Sequence, residues 1–435
     1  MKSDATRDTF DATKQLSRVI MQQGRVALDA DHNEQVAIFW HYLTALAGDV
    51  IGPHGAPATS GGFDLAIDGT QQLTIGAGRY YVDGLLVENP ADLAYDKQPG
   101  YPLPGDPLGA LDPNAGDATF FVYLDVWEHH VTAIEDPSIR EIALGGPDTC
   151  TRAKVVWQVR TAVLSGAPRA ARDCQGELDG LLALGDAKLA AQLDPGAISD
   201  DPCVMAPESK YRGVENQLYR VEIHRSSRDG APTFKWSRDN GSVLTAVDAI
   251  AGNELRVAST RGFEAGDWVE LTDDDLDLRG EPGDLLRLAK VEGGTLSLDP
   301  DVTPTLPAAS LHPKVRRWNQ RSSEDVVLVE GAVPVIKAGE GKDVWIDLED
   351  GVQVQFLGDV YRTGDYWQIP ARVATGRIEW PTTPGAGGVA VAQALPPRGI
   401  RHHYAPLGFV DWKNKGLVLS DPCRRTFSPL PEPNQ

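Results

Sequence analysis

The stretch from residue 211 to residue 243 constrains the fold most, because it predicts a pair of β-strands. Its first run, LYRVEI at 218–223, alternates with a period of two residues, and a second run, TFKW, follows at 233–236. Asp229 and Gly230 lie between the two runs and tolerate the positive φ angles of a tight turn. The pattern predicts an antiparallel hairpin, and a hairpin at this position indicates a β-rich protein.

Short strand-like runs separated by turn residues recur along most of the chain. Asp83 and Gly84 separate RYYV from LLVE, an arrangement typical of a two-residue hairpin. Between 247 and 300, short apolar runs alternate with glycine and proline, which predicts a small inserted β-barrel or sandwich. The 44 glycines and 31 prolines suit a β-protein with many turns better than a helical bundle.

One amphipathic helix is predicted near the N-terminus. Its apolar stripe recurs at helical spacing and consists of Val36, Phe39, Trp40, Leu43, Leu46 and Ala47. Asp31 or Asn33 can cap a helix that begins near Asn33, and Gly48 is expected to end it. A stripe this apolar must be covered either by the β-body or by a neighbouring subunit.

Together these patterns predict a mainly β, multi-domain protein of sandwich- or barrel-like units, with an N-terminal amphipathic helix and an inserted small β-domain. A chain of 435 residues is long enough for two to four domains. The predicted parts are a helical docking segment at 1–60, a β-rich domain at 61–246, an inserted barrel or sandwich at 247–320, a β-rich segment completing the main body at 321–423 and an extended tail at 424–435. Within the second part we expect a Pro/Gly-rich loop at 96–117 and a short helix or surface excursion at 175–200.

Charge and hydropathy argue against several kinds of partner. The chain has 41 Lys and Arg against 62 Asp and Glu, a net charge of −21 at pH 7. An acidic surface repels the phosphates of nucleic acids. No apolar run is long enough to cross a bilayer, and the N-terminal MKSDATRDTF lacks the apolar core of a signal peptide. We therefore expect no nucleic-acid partner, no membrane insertion and synthesis in the cytoplasm.

The cysteine spacing does not indicate a zinc site. Cys150, Cys174, Cys203 and Cys423 form no C-x-x-C pair. Cys174 and Cys203 flank an Ala/Leu-rich segment and could pair if oxidised. Because the cytoplasm keeps thiols reduced, free buried cysteines are the preferred prediction.

Two adjacent histidine pairs are the candidates for a metal site: His129-His130 and His402-His403. Neighbouring residues of a strand point to opposite faces, so one pair alone cannot chelate a metal. One histidine from each pair could meet beside Glu128 or Asp125, but satisfied or surface histidines are the preferred interpretation, and no metal ligand is predicted.

The acidic run DDDLD at 273–277 resembles the start of a calcium loop. Such a loop needs glycine at its sixth position and glutamate at its twelfth, where this chain has Leu278 and Asp284. A solvated acidic loop is therefore the preferred prediction.

Motifs for catalysis are missing from the sequence. It contains no G-x-S-x-G, no P-loop, no dinucleotide-binding glycine motif and no cysteine beside a plausible histidine. Acid pairs such as Glu349-Asp350, or Glu264 with Asp267, carry glycosidase chemistry only at a defined separation in space. We predict no catalytic residue, no cofactor and no enzymatic activity.

Aromatic residues are the candidates for an interface. The ten tryptophans lie mostly in strand-like runs, which favours core packing. The segment YRTGDYW at 361–367 is the best candidate for a sugar-stacking platform or a subunit contact. The predicted interface residues are Val36, Phe39, Trp40, Leu43, Tyr361, Tyr366 and Trp367.

Several long segments, in order, resemble a bacterial family of uncharacterised domains encoded in gene clusters for contractile injection systems and phage-tail-like particles. These segments are QQGRVALDADHNEQ, YRGVENQLYRVEIH, FKWSRDNGSV, RTGDYWQIPARVATGRIEWP and PPRGIRHHYAPLGFV. The resemblance extends from about Met1 to Cys423. The segment GRYYVDGLLVENP at 78–90 is separately similar to a hairpin common in phage baseplate and tail-fibre proteins.

The resemblance implies a structural part at or near a baseplate or spike, which acts through subunit interfaces and is assembled into a particle after synthesis. Its implied partners are other baseplate or spike proteins and copies of itself, as a trimer or hexamer, by analogy with the symmetry of baseplates. One alternative is a carbohydrate-binding or glycan-active β-protein with its site around 365–367. A second alternative is an effector cargo, against which the lack of a catalytic motif argues.

Overall fold

The computed structural model describes residues 1–164, 172–182, 185–194, 209–304, 306, 310–323, 326–337, 344–385 and 390–428. The predicted fold class is confirmed, because strands far outnumber helices in these residues. None of the helices in the described ranges is both long enough and apolar enough to cross a membrane.

The helices are α1 (Asp29–Ile51), α2 (Cys174–Leu181) and α3 (Asp274–Arg279). Single 3₁₀ turns lie at Ala12–Lys14, Tyr95–Lys97, Pro137–Ile139 and Ile142–Leu144. The strands are β1 (His54–Pro57), β2 (Leu65–Ile67), β3 (Leu73–Ile75), β4 (Gly78–Val82), β5 (Leu85–Asn89), β6 (Leu93–Ala94), β7 (Ala118–Val131), β8 (Arg152–Val163), β9 (Lys188–Leu193), β10 (Gln217–Arg225), β11 (Thr233–Ser237), β12 (Leu244–Ala251), β13 (Glu254–Val257), β14 (Trp268–Thr272), β15 (Asp284–Glu292), β16 (Thr295–Leu298), β17 (Lys314–Trp318), β18 (Val333–Pro334), β19 (Ile346–Asp347), β20 (Val352–Leu357), β21 (Tyr366–Arg372), β22 (Arg377–Ile378), β23 (Thr382–Pro384), β24 (Ala390–Ala392), β25 (His402–Lys413), β26 (Gly416–Pro422) and β27 (Thr426–Phe427).

The chain divides into two compact units that differ from the predicted domains. Unit 1 comprises Met1–Thr9, Val131–Thr151 and Gly185–Ile400, and unit 2 comprises Phe10–His130, Arg152–Leu184 and Arg401–Gln435. The predicted domain at 61–246 contributes to both units. Local sequence patterns do not reveal that the chain alternates between the two units, because the division depends on which distant strands pair.

Unit 1 is built on the hairpin that the sequence predicted. Strands β10 and β11 pair antiparallel with Ile223 opposite Phe234, at the centre of a sheet ordered β18-β11-β10-β21-β22. A second sheet has the order β19-β20-β9. The core that these strands share includes Tyr219, Val221, Phe356 and Ile369, each fully buried.

The inserted β-domain is a closed barrel of six strands, ordered β12-β13-β16-β15-β14-β17. It begins directly after Asn240 and Gly241, whose φ angles of 53° and 68° form the turn out of β11. Its interior is filled by small aliphatic side chains, among them Leu255, Val269 and Leu296. Alternating burial along the short strands explains why the sequence pattern located this domain.

Unit 2 contains a sheet ordered β27-β1-β4-β5, a sheet ordered β26-β25-β7-β8 and a small sheet ordered β2-β3-β6. The predicted hairpin between β4 and β5 is present, and both turn residues, Asp83 and Gly84, have positive φ angles of 48° and 81°. The core of unit 2 is rich in aromatic residues, with Phe63 against Trp157 at 4.9 Å between ring centroids.

The prediction of free buried cysteines is wrong. Cys174 at the start of α2 forms a disulfide with Cys423, 249 residues away, and Cys150 is exposed and unbridged. Because Cys174 is bridged to Cys423, it does not pair with Cys203, which itself lies outside the described residues. A contact at this sequence separation leaves no local signal, so spacing could not reveal it.

Strand pairing adds to two further predictions. The excursion at 175–200 contains α2 and also β9, whose Leu189 and Ala191 are buried against β20; residues 183–184 and 195–200 lie outside the description. The tail at 424–435 begins with β27, which pairs in parallel with β1, while 429–435 lie outside the described residues. The Pro/Gly-rich segment at 96–117 contains no strand, as predicted.

Candidate functional site

Helix α1 is the main candidate for a functional surface. It begins at Asp29, earlier than predicted, with Asp29 and Asp31 in its first turn, where carboxylates stabilise the positive helix end. It continues past Gly48 and ends at Gly52, whose φ angle is 91°. Gly48 remains helical because the N–H of Gly52 donates to its carbonyl.

Helix α1 belongs to unit 2, and one of its faces packs against the rest of that unit. Ala30 and Ile38 are 2% and 0% exposed. The carbonyl oxygen of Thr44 lies over the β4–β5 turn, where a Cβ added to Gly84 would lie only 2.2 Å from it. His403 supports the same turn, with its Nδ1 2.9 Å from a carboxylate oxygen of Asp83. The helix therefore docks through the buried side chains of Ala30 and Ile38 and through a close backbone approach at Thr44.

The outer side of α1 carries apolar side chains that the chain leaves in solvent. We call this set the α1 surface: Val36, Phe39, Trp40, Tyr42, Leu43, Leu46 and Val50. Trp40 is 39% exposed and the other six are between 53% and 63% exposed. Contiguous apolar exposure of this kind marks interaction sites in soluble proteins. Four of the predicted interface residues lie here, and whether a partner covers them stays a prediction.

An extended arm precedes the helix. Between residues 15 and 28 the chain has no strand or helix, and its exposed apolar side chains are Leu16, Ile20, Met21, Val26 and Leu28. The arm is held to α1 by the N–H of Val19, which donates to the side-chain oxygen of Gln35 at 2.8 Å. The arm therefore enlarges the apolar area next to the α1 surface.

The other three predicted interface residues lie in unit 1, where the structure corrects the prediction for Tyr361 and Trp367, while half-buried Tyr366 stays a prediction. Tyr361 and Trp367 are each 1% exposed within the core of unit 1. The indole N–H of Trp367 donates to the carbonyl of Leu395 at 2.9 Å. The ring of Tyr366 lies under the guanidinium of Arg220, 3.6 Å from its centroid. No face of Tyr361 or Trp367 is left for a subunit or for stacking on a sugar.

The two histidine pairs lie on neighbouring strands, His129-His130 on β7 and His402-His403 on β25. They do not form a metal site in the described ranges. His402 lies opposite Trp127 on the antiparallel pair β7–β25, and its Nδ1 is 2.7 Å from Asp125. Arg160 contacts the other oxygen of Asp125 at 3.1 Å. Among the described residues, no group of three His, Cys, Asp or Glu side chains converges to hold a metal ion. The geometry suits a structural ion pair.

A buried ionic cluster lies in unit 1. The Nζ of Lys235 is 2.5 Å from Glu270 and 3.4 Å from Glu222, and Glu222 also contacts Arg220 at 2.6 Å. Lys2 completes the cluster at 3.0 Å from Glu222. Glu270 additionally accepts the indole N–H of Trp318 and the N–H of Gly283, so both its oxygens are used.

These contacts determine the protonation of the cluster. Burial alone would raise the pKa of Glu222, but the positive charges of Lys2, Arg220 and Lys235 outweigh it and hold that pKa well below its usual value. Burial is likewise outweighed at Glu270, whose pKa is lowered mainly by Lys235. Both carboxylates are therefore charged at neutral pH and engaged by cations. A general base needs access to a substrate, which this arrangement does not offer.

The acidic run is also engaged, so the prediction of a solvated loop is wrong. Asp273 is fully buried and caps α3 by accepting the N–H of Leu276 at 2.9 Å. Lys314 lies 2.9 Å from Asp274 and 2.8 Å from Asp277. The run forms the N-terminal turn of α3, and its carboxylates pair with the buried Lys314. It is not an ion-binding loop.

Comparison with known proteins adds a family. A family model described as a family of unknown function (DUF6519) matches residues 1–181 and 177–430, which together span most of the chain. The chain belongs to this family. No curated protein and no solved structure matches it.

Two features of this DUF6519 chain escaped sequence reasoning. Tyr42 and Val50 belong to the α1 surface, and the continuing helical spacing beyond Leu46 is the signal that could have found Val50. The Lys235 cluster carried a signal too, since charged Lys235 and Glu222 lie within strand-like apolar runs. Charged residues at such positions indicate a partner, but its identity depends on the fold.

Proposed function

We propose that the chain is a structural component of a contractile injection system or phage-tail-like particle, at or near the baseplate or spike, that acts through subunit interfaces. The observation that carries the proposal is the α1 surface together with the arm. A stable chain that exposes this much contiguous apolar area has a partner to cover it. The sequence resemblance described above supplies the kind of assembly.

The remaining ionic and polar groups support an assembly role over a chemical one. The carboxylates of the Lys235 cluster and of the Asp125–His402 contact are each engaged by neighbouring side chains. Such networks hold a fold in one arrangement when every member is paired. A part that transmits force in a particle needs this rigidity.

The proposed partners are other baseplate or spike proteins and copies of the chain itself, with threefold or sixfold symmetry by analogy with baseplates. We propose synthesis in the cytoplasm followed by assembly into the particle. The net charge of −21 supports partners other than nucleic acid. The glycan-binding alternative loses the stacking surface that it needs at 361–367, because the side chain of Trp367 lies in the core.

The test is a tagged pull-down of the full chain from its native cell, examined by electron microscopy and mass spectrometry. We expect sheathed particles, or baseplate and spike proteins in stoichiometric amounts. The variant Leu46→Glu places a charge on the α1 surface and should abolish co-purification, whereas Ala45→Glu, on an exposed position outside that surface, should retain it. An eluate that holds only this chain would contradict the proposal, and binding on a glycan array would then replace it.

A further inference from the structure

The apolar side chains of α1 follow a coiled-coil spacing. Val36, Phe39, Leu43, Leu46 and Val50 are separated by three, four, three and four residues. This is the a/d pattern of a heptad, with Val36, Leu43 and Val50 at a and the other two at d. All five are more than half exposed, so the seam is formed but not occupied by the described chain.

A different face of the same helix makes the contact with unit 2. The residues next to each a position are Ala30, Ala37, Thr44 and Ile51, and they recur every seven residues. Ala30 is buried, the other three are half-buried, and Thr44 lies on the β4–β5 turn. On a helix with 3.6 residues per turn, this face points about 130° away from the middle of the seam. The helix can therefore remain docked while its seam receives a second helix.

The residues that flank the seam favour a second copy of this chain. Positions e and g next to a coiled-coil seam set partner choice through complementary charges. Here they are occupied by Asn33, Trp40 and Ala47 on one side and by Gln35, Tyr42 and Asp49 on the other. With one charge among six residues, nothing repels an identical helix and nothing selects a helix of opposite charge.

We propose that α1 joins copies of this chain through this seam, over about 21 Å of helix from Val36 to Val50. The inference rests on the proposed function and deepens it, because it names the partner of the α1 surface. Trp40 and Tyr42 flank the seam on both sides and widen the apolar contact.

The first test measures the mass of the purified full-length chain by sedimentation. We expect an oligomer for the natural sequence and for Ala45→Glu. Leu43→Glu should raise the dissociation constant by about 100-fold or more, because it buries an unpaired carboxylate in the seam. Since Leu43 is 56% exposed in the single chain, the variant should keep the circular dichroism and melting temperature of a folded monomer. A monomeric natural chain, or an oligomer that Leu43→Glu leaves intact, would overturn the inference.

The second test maps the seam by cross-linking. Leu43 is the middle of the five seam residues, and in a parallel pair, where a positions meet a positions, it faces its own copy. In a background with Cys150→Ser and Cys203→Ser, Leu43→Cys should give a covalent dimer under mild oxidation and Ala45→Cys should not. Equal cross-linking at both positions would contradict the seam. Particle proteins in the pull-down with a monomeric chain would overturn the seam alone, whereas an oligomer without particle proteins would overturn only the proposed function.

Discussion

Two segments that carry aromatic residues lie in opposite environments. In α1, Phe39 and Tyr42 are 61% and 53% exposed, whereas Tyr361 and Trp367 of unit 1 are each 1% exposed. Strand β21, which carries Trp367, is paired on both edges, by β10 and β22, and it buries alternate residues. Helix α1 packs on β1 and the β4–β5 turn and is touched by the arm, but its outer side meets no neighbour in the described residues. The number of neighbouring elements, more than aromatic content, decides which segment is available to a partner.

The largest expected effect contrasts the two tryptophans directly. Trp367→Ala removes a fully buried indole and should lower the free energy of unfolding by about 4 kcal/mol, because it leaves a cavity. Trp40→Ala should lower it by less than about 1 kcal/mol, because the ring is half in solvent. Urea unfolding of a chain kept monomeric by Leu43→Glu measures both. Equal losses for the two variants would break the comparison.

The next effect concerns charges buried in unit 1. Glu270→Gln leaves Lys235 without its nearest carboxylate and should destabilise the chain by about 3 kcal/mol. The matched control is Glu292→Gln, which removes an exposed ion pair with Lys290 and should leave the stability nearly unchanged, because solvent screens that pair. Thermal unfolding of both variants is the measurement. A Glu270→Gln protein as stable as the control would show that the cluster does not stabilise the fold.

A third prediction tests how α1 is held in unit 2. Gly84→Ala places a methyl group against the Thr44 carbonyl at a φ angle of 81°, so it should cost about 2 kcal/mol and loosen the helix. Hydrogen exchange of the α1 amides should accelerate relative to β4 and β5. Gly69→Ala, where an added Cβ meets nothing within 4 Å, is the control. Unchanged exchange in Gly84→Ala would mean that the close approach does not hold the helix.

The smallest effect is a pH dependence in unit 1. Burial, helped by Lys235, lowers the pKa of His224 from 6.5 to about 4. The unfolded chain therefore binds the proton more readily, and stability falls as the pH drops from 6.5 toward 4. Between pH 7.5 and pH 5.5 the loss due to His224 should be about 1 kcal/mol. His224→Gln should flatten this part of the stability profile, and an identical slope in the variant would contradict the assignment.

Much of the fold was predictable because its signals are local. The turn residues Asp83-Gly84 and Asp229-Gly230 located two hairpins, and the spacing of short apolar runs located the barrel domain. The helical stripe located α1. The errors share one cause: Cys174, Trp367 and the acidic run at 273–277 each depend on a partner far away in the chain.

The sequence by itself determined helix α1, the two hairpins and the strands of the barrel domain, because backbone preferences and side-chain periodicity act over a few residues. Only the tertiary structure decided which of those faces are covered. It placed Trp367 between two sheets and paired Asp274 and Asp277 with Lys314. It left the seam of α1 in solvent. Burial depends on contacts between distant segments, and these exist only once the whole chain has folded.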